Sequence, residues 1–303
     1  MGTNQIKHML VPVNFEQESE QLLRYAGTLA KTFGAELVLL HATNTETLTF
    51  TQQSRCLQAL RTLGERVLHS QQHCSSPDFV RFECVVRPGS LRESIKAVVQ
   101  DYSIDLVLME ASPVPVEVGE QSNHAASVME VLSCPVMAVP VTLYPAKPTN
   151  IVFATDFTDR EERVLKQIAS FAAQIGAKLT MVQVYHPEER SQRVRMKAAI
   201  RETQQLLANY DINYRLLEEE DMLEGISEFA DKEGADMLLL ATQDNYLMQR
   251  LFSNTYLKTM ACHTQIPLVV FRQLKTKPCS GCCTNCRSKA TAQPALQQTI
   301  SLS

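Results

Sequence analysis

The chain has 303 residues, a net charge of -4 and 45% hydrophobic residues. A length near 300 suggests two domains, each with enough apolar residues for a full core. The mild negative charge gives no reason to expect nucleic acid, no apolar run approaches the ~20 residues of a membrane span, and the N-terminal residues do not read as a secretory signal.

Apolar periodicity assigns the elements in chain order. Residues 9–13 read as a first strand and 16–33 as a helix with the stripe Leu22, Leu23, Ala26, Leu29, Ala30 and Phe33. Residues 37–41 read as a second strand, 52–69 as a helix, and 79–86 as a third strand. Ser90 with Glu93 has the form of a capping box and opens a helix carrying Leu91, Ile95, Val98 and Val99. Residues 105–109 are the fourth strand, 125–132 a short helix and 136–139 the fifth strand. A proline-bearing linker over 140–148 follows.

The second half repeats this order. Strands are expected at 151–154, 179–185, 213–217, 237–241 and 268–271, and helices at 188–209, 223–232 and 255–263. Its first helix has the stripe Val164, Leu165, Ile168, Phe171, Ala172 and Ile175, with Gly176 as its stop and Thr158–Glu161 as an expected capping box. Every one of these six apolar positions lies 142 residues after its partner in the first helix. Phe15 and Phe157 match at the same offset, as do Gly34–Ala35 and Gly176–Ala177, and Asn14 stands where Asp156 stands. Such ungapped agreement marks an internal duplication. Strands alternating with helices, and nearly continuous apolar strands, predict parallel sheets covered on both faces. The expected domains are 1–142 and 148–273, followed by a flexible tail, 274–303.

Both halves show one ordered pattern: a strand ending in Asn14-Phe15 or Asp156-Phe157, Gly-Ala before the second strand, Ile104-Asp105 or Ala235-Asp236 before the fourth, and Cys134-Pro135 or Ile266-Pro267 before the fifth. This pattern, with the segment from Arg250 to Val270, resembles a tandem universal stress protein over roughly residues 5 to 272. The resemblance implies an α/β fold of two tandem doubly wound domains, each with a five-stranded parallel sheet of the adenine-nucleotide alpha-hydrolase-like type. It also implies that fifth strands pair across a two-fold axis, here within one chain as a pseudo-dimer; a homodimer is a separate expectation for this chain.

Members that bind ATP carry Gly-x2-Gly-x9-Gly-Ser/Thr after strand four, and glycines with a helix N-terminus suit phosphate. This chain departs from that pattern. Gly119 is the only glycine between strands four and five of the first half, and the second half has none between Gly234 and Gly281. Asp156 is retained, and Ser253, Asn254 and Thr255 fall about where the family's Gly-Ser/Thr lies. These four residues are the candidate site for ATP or AMP with Mg. As alternatives, Asp156 is a polar turn residue and the hydroxyls are helix caps.

The tail holds a second signal. Nine cysteines are an odd number, and the scattered Cys56, Cys74, Cys84, Cys134 and Cys262 suit a reducing cytosol. Cys279, Cys282, Cys283 and Cys286 form a CxxCCxxC cluster, whose thiolates suit Zn or Cu(I) or thiol exchange. Four thiols within eight residues close around one ion only with strain, unless two tails share it. His41 and His186, near the ends of the two second strands, form no catalytic constellation, and no Ser sits in a G-x-S-x-G elbow. The expectation is a cytoplasmic, non-enzymatic stress-response protein with a regulatory protein partner. A nucleotide switch or weak ATPase in the second half and a thiol or metal sensor in the tail are the alternatives.

Overall fold

The computed structural model describes residues 5–69, 79–111, 128–129, 131–140, 143, 145–158, 161–242 and 266–273. The expected helix over 255–263, Ser253–Thr255 and the cysteine tail lie outside them. The first half contributes β1 (His8–Pro12), α1 (Gln17–Phe33), β2 (Glu36–Ala42), α2 (Phe50–Leu68), β3 (Phe82–Arg87), α3 (Leu91–Asp101), β4 (Leu106–Ala111) and β5 (Val136–Pro140). Val128 and Met129 are helical, within the expected short helix. The second half contributes β6 (Asn150–Ala154), α4 (Glu162–Ile175), β7 (Lys178–Tyr185), a 3-10 helix (Pro187–Gln192), α5 (Arg193–Leu206), β8 (Ile212–Glu218), α6 (Met222–Lys232), β9 (Met237–Thr242) and β10 (Leu268–Arg272).

The duplication is visible in register. His8 pairs with Glu36 between β1 and β2, and Asn150 pairs with Lys178 between β6 and β7, each partner shifted by the same 142 positions. Gly34 and Gly176 both end their helices in the left-handed conformation, at φ 65° and 74°, which a Cβ would strain. Each cap amide faces the carbonyls of corresponding residues, Ala30 and Lys31 in one half, Ala172 and Ala173 in the other.

The aspartate before each fourth strand has a mechanical role. Asp105 Oδ2 accepts the amides of Lys7 (2.8 Å) and His8 (3.0 Å). Asp236 does the same for Thr149 (2.8 Å) and Asn150 (3.0 Å). A carboxylate thus satisfies the first donors of strand one and ties the starts of two neighbouring strands together.

The two five-stranded sheets join through their fifth strands, as the resemblance implies, into one. Strand order is β3-β2-β1-β4-β5-β10-β9-β6-β7-β8. Within each half all pairs are parallel, and β5 meets β10 antiparallel, with Val136 opposite Val270, Met137 opposite Val269 and Ala138 opposite Leu268. The pseudo-dimer closes through the fifth strands, removing two apolar edges. Residues of α1, α2, α4 and α5 share one core layer, and residues of α3 and α6 with Val128, Met129 and Leu132 the other; each layer runs through both halves. Polar bonds cross the seam as well: Gln174 Oε1 accepts Ile6 N–H at 3.1 Å, and Arg272 Nη1 donates to the Met129 carbonyl at 3.1 Å.

Two expectations need correction. The Thr158–Glu161 capping box does not form, because α4 starts only at Glu162 with Glu161 as its cap residue and no side-chain cap bond. Thr158 instead donates through its backbone and its hydroxyl to Asp156 Oδ1 (2.8 Å each), closing a turn ahead of the helix. The single helix expected over 188–209 is a 3-10 helix followed by α5, begun by a capping box between His186 and Glu189. Proline at the first position of that 3-10 helix fits its missing donor.

Candidate functional site

In an open parallel sheet ligands meet the carboxyl ends of the strands, so the candidate site in each half is the end of its first, second and fourth strands. In the second half Asp156 is exposed beyond the end of β6. Besides the two Thr158 bonds, its Oδ1 accepts Gln183 Nε2 at 3.0 Å. Gln183 is buried in β7, and its Oε1 accepts the Phe157 amide at 3.3 Å. Asp156 and Gln183 thus form a bracket that holds the turn over the ends of β6 and β7. Phe157 is fully buried, with its ring centroid 6.1 Å from that of Tyr214.

The first half builds the same place differently. Asn14 Nδ2 donates to Glu16 Oε2 (2.8 Å), and Asn14 Oδ1 accepts Glu16 N–H (3.0 Å). The buried Ser19 hydroxyl accepts Asn14 N–H at 3.2 Å and reaches both Asn14 Oδ1 and Glu110 Oε1, the latter at 3.0 Å, donating to one at a time. Glu110 lies near the end of β4, so a carboxylate stands where the phosphate loop of an ATP-binding member would begin.

Phe15 departs from its repeat partner. Its φ is 65°, a conformation uncommon for a large side chain. The ring is 41% exposed and lies 4.5 Å, centroid to centroid, from His41. His41 Nδ1 is 2.8 Å from the Val13 carbonyl. A carbonyl only accepts, so Nδ1 carries the proton and Nε2 is the acceptor of the neutral ring. The 142-residue offset places Gln183, and not His186, opposite His41; His186 instead caps the 3-10 helix. The two histidines therefore have no common role.

At the end of β8, Arg190 forks onto the two carboxyl oxygens of Glu218, with Nε to Oε2 at 3.1 Å, and the Tyr185 hydroxyl donates to Oε2 at 2.8 Å. These charge-assisted bonds hold the Glu218 carboxyl down at about 2. They clamp the 3-10 helix to the strand ends, a role that the acidic run Glu218–Asp221 does not advertise in sequence. Asp221 caps α6, accepting the amides of Leu223 (2.8 Å) and Glu224 (3.1 Å).

Among the described residues no group of three His, Cys, Asp or Glu is placed to hold a metal ion, and no helix is long and apolar enough to cross a membrane. Burial pushes the Cys84 thiol up to about 11 and the Cys134 thiol up to about 12. The thiolate is the nucleophile, so both thiols should react with Ellman's reagent at pH 8 at least tenfold more slowly than the same cysteines in the unfolded chain. Folded pKa values above the unfolded ones also give a stability that is full below the unfolded value, about 8.5, and is lost as pH rises toward 11. Labelling in water and in denaturant, read by peptide mass, checks the first; denaturant midpoints at pH 8 and pH 10.5 check the second.

Comparison with known proteins agrees with this architecture. The sequence profile of the universal stress protein family matches residues 5–140 and 148–272. A protein of unknown function from Pseudomonas aeruginosa PAO1 has a similar structure, with a TM-score of 0.59 at 18% identity over 89% of this chain and 94% of that one. A universal stress protein from Archaeoglobus fulgidus DSM 4304 gives a TM-score of 0.61 at 13% identity, covering 90% and 99%. At these identities the likeness is one of fold. No curated protein matches the chain. The family profile spans most of the chain in two copies that meet through their fifth strands, and the chain belongs to the universal stress protein family.

Proposed function

We propose that this universal stress protein is a cytoplasmic, non-enzymatic regulatory protein that does not bind ATP efficiently and acts through a protein partner. It would consist of two domains, 1–142 and 148–273, and a tail, 274–303. The observation that carries the reading is the Glu110 carboxylate joined to Ser19 and Asn14 at the strand ends of the first half. A phosphate brought there meets the Glu110 carboxylate, and none of Asn14, Ser19 and Glu110 is a glycine whose backbone would approach it, which supports the reading that a nucleotide triphosphate is not held there. In the second half Asp156 already accepts three hydrogen bonds on one oxygen, which supports its role as a turn residue.

The competing reading is a nucleotide switch or weak ATPase in the second half, with ATP or AMP and Mg held by Asp156, Ser253, Asn254 and Thr255. It is favoured by the exposure of Asp156 at the end of β6. Thermal unfolding with and without millimolar Mg-ATP, ADP and AMP separates the two. A ligand at 100 times its dissociation constant adds about 2.7 kcal/mol, several degrees at the midpoint. The expected result is no shift. A shift that disappears in Asp156→Ala would establish the competing reading. For the tail, zinc and copper content that is unchanged on truncation after Lys277 removes Cys279, Cys282, Cys283 and Cys286 as a metal or thiol sensor.

A further inference from the structure

Two helices of the second half each carry an exposed stripe of mostly one charge sign, although Glu202 follows Arg201 on α5 and Lys232 follows Asp231 on α6. On α5, Arg193, Lys197 and Arg201 are exposed at spacings of four, which sets them in one stripe about 12 Å long at 1.5 Å rise per residue. Met196, Ala199 and Thr203 form the buried side of the same helix. On α6, Glu224, Glu228 and Asp231 are exposed at spacings of four and three, a stripe of about 10 Å that ends at the exposed Lys232, four residues after Glu228, while Leu223, Ile226, Phe229 and Ala230 are buried. None of these six side chains makes an ion pair with another described residue, although the charge of Arg193 also acts on Glu218. In the first half, by contrast, Arg61 pairs with Glu65 and Arg66 with Glu20.

Like charges four apart on a helix repel, by a few tenths of a kcal/mol per pair. Each stripe therefore carries repulsion that an opposite stripe of the same pitch would relieve. The two stripes cannot relieve each other within one chain. Residues of α5 pack into one core layer and residues of α6 into the other, so the sheet stands between the helices. Val194, 82% exposed beside the cationic stripe, offers apolar area to whatever covers it.

We propose that the cationic stripe of α5 docks on the acidic stripe of α6 of a second copy of this chain. Since the stripes lie on opposite faces of one sheet, the contact is heterologous: after the first contact one copy keeps its acidic stripe free and the other its cationic stripe, and assembly continues beyond a dimer. The contact is electrostatic and is screened as the Debye length falls from 30 Å at 0.01 M salt to 3 Å at 1 M.

Sedimentation velocity of the full, reduced chain tests this. At about 10 mM salt the weight-average mass should rise with concentration well above the 34.0 kDa of one chain, and return to it at about 0.5 M salt. The charge reversals Lys197→Glu with Arg201→Glu, and separately Glu224→Lys with Glu228→Lys, should each leave a folded monomer at low salt. Mixing the two variants should restore association, because each reversed stripe then meets a reversed or native partner of opposite sign. A wild-type chain that stays monomeric at low salt overturns the proposal, as do association indifferent to salt and a mixture that stays dissociated. Heparin, as a probe polyanion, binding α5 without any self-association would likewise overturn it in favour of a foreign anionic partner.

Discussion

Replacing Val269 by aspartate should cost about 4 kcal/mol and loosen the two halves together. Val269 is fully buried in β10 and faces Met137 of β5, also fully buried, across the antiparallel junction that joins the halves. A carboxylate there loses its hydration with no cation to replace it, and the valine's transfer energy is lost as well. Against a total stability of about 5–15 kcal/mol for a typical protein, that is a large fraction. Val136→Asp tests the same seam from the other core layer. Urea unfolding followed by circular dichroism reads the loss, and small-angle scattering reads the shape. A chain as stable and as compact as wild type would show that β5–β10 pairing does not hold the halves.

Phe171→Ala should cost about 3–5 kcal/mol, the usual range for a large ring removed from a core. Phe171 lies on α4 and is 2% exposed, with its ring 5.3 Å from Phe33 of α1 and edge-on to Phe271 of β10 at 5.9 Å. It belongs to the core layer that contains residues of both halves, so its cavity weakens both. The expected result is one unfolding transition moved to lower denaturant, seen alike by far-ultraviolet circular dichroism and by tyrosine fluorescence. Two separated transitions in the variant would show that the halves unfold independently and that the shared layer is not cooperative.

Both predictions rest on the seam, which was the most legible long-range feature of the sequence. Its fifth strands are short apolar runs introduced by proline, and the resemblance implied that they pair. What the repeat did not reveal is how far its two copies diverge at the strand ends. Phe15 and Phe157 occupy the same repeat position, yet one is turned out over His41 and the other is buried against Tyr214. A difference in one backbone dihedral is invisible to hydrophobic pattern, because both residues are equally apolar. The Thr158–Glu161 pair failed for a related reason. The Thr158 hydroxyl is bonded to Asp156, and Asp156 is held in turn by Gln183 on the neighbouring strand, a contact that a local capping pattern does not register.

Taken by itself, the sequence determined the α/β class, the duplication at a constant 142-residue offset, the order of elements and most of the core, because these follow from periodicity and from glycine at helix ends. It also singled out Asp156, and the loss of the glycine-rich pattern after strand four. Only the tertiary structure decided the register in which β5 meets β10, that Asp105 and Asp236 tie the starts of neighbouring strands, that Glu110 closes the strand ends of the first half with Ser19 and Asn14, and that the charged stripes of α5 and α6 lie on opposite faces. The physical reason is the same in each case. Periodicity tells which side of an element is apolar, but hydrogen bonds and charges act over a few ångströms between residues far apart in the chain, and only the packed sheet brings those residues together.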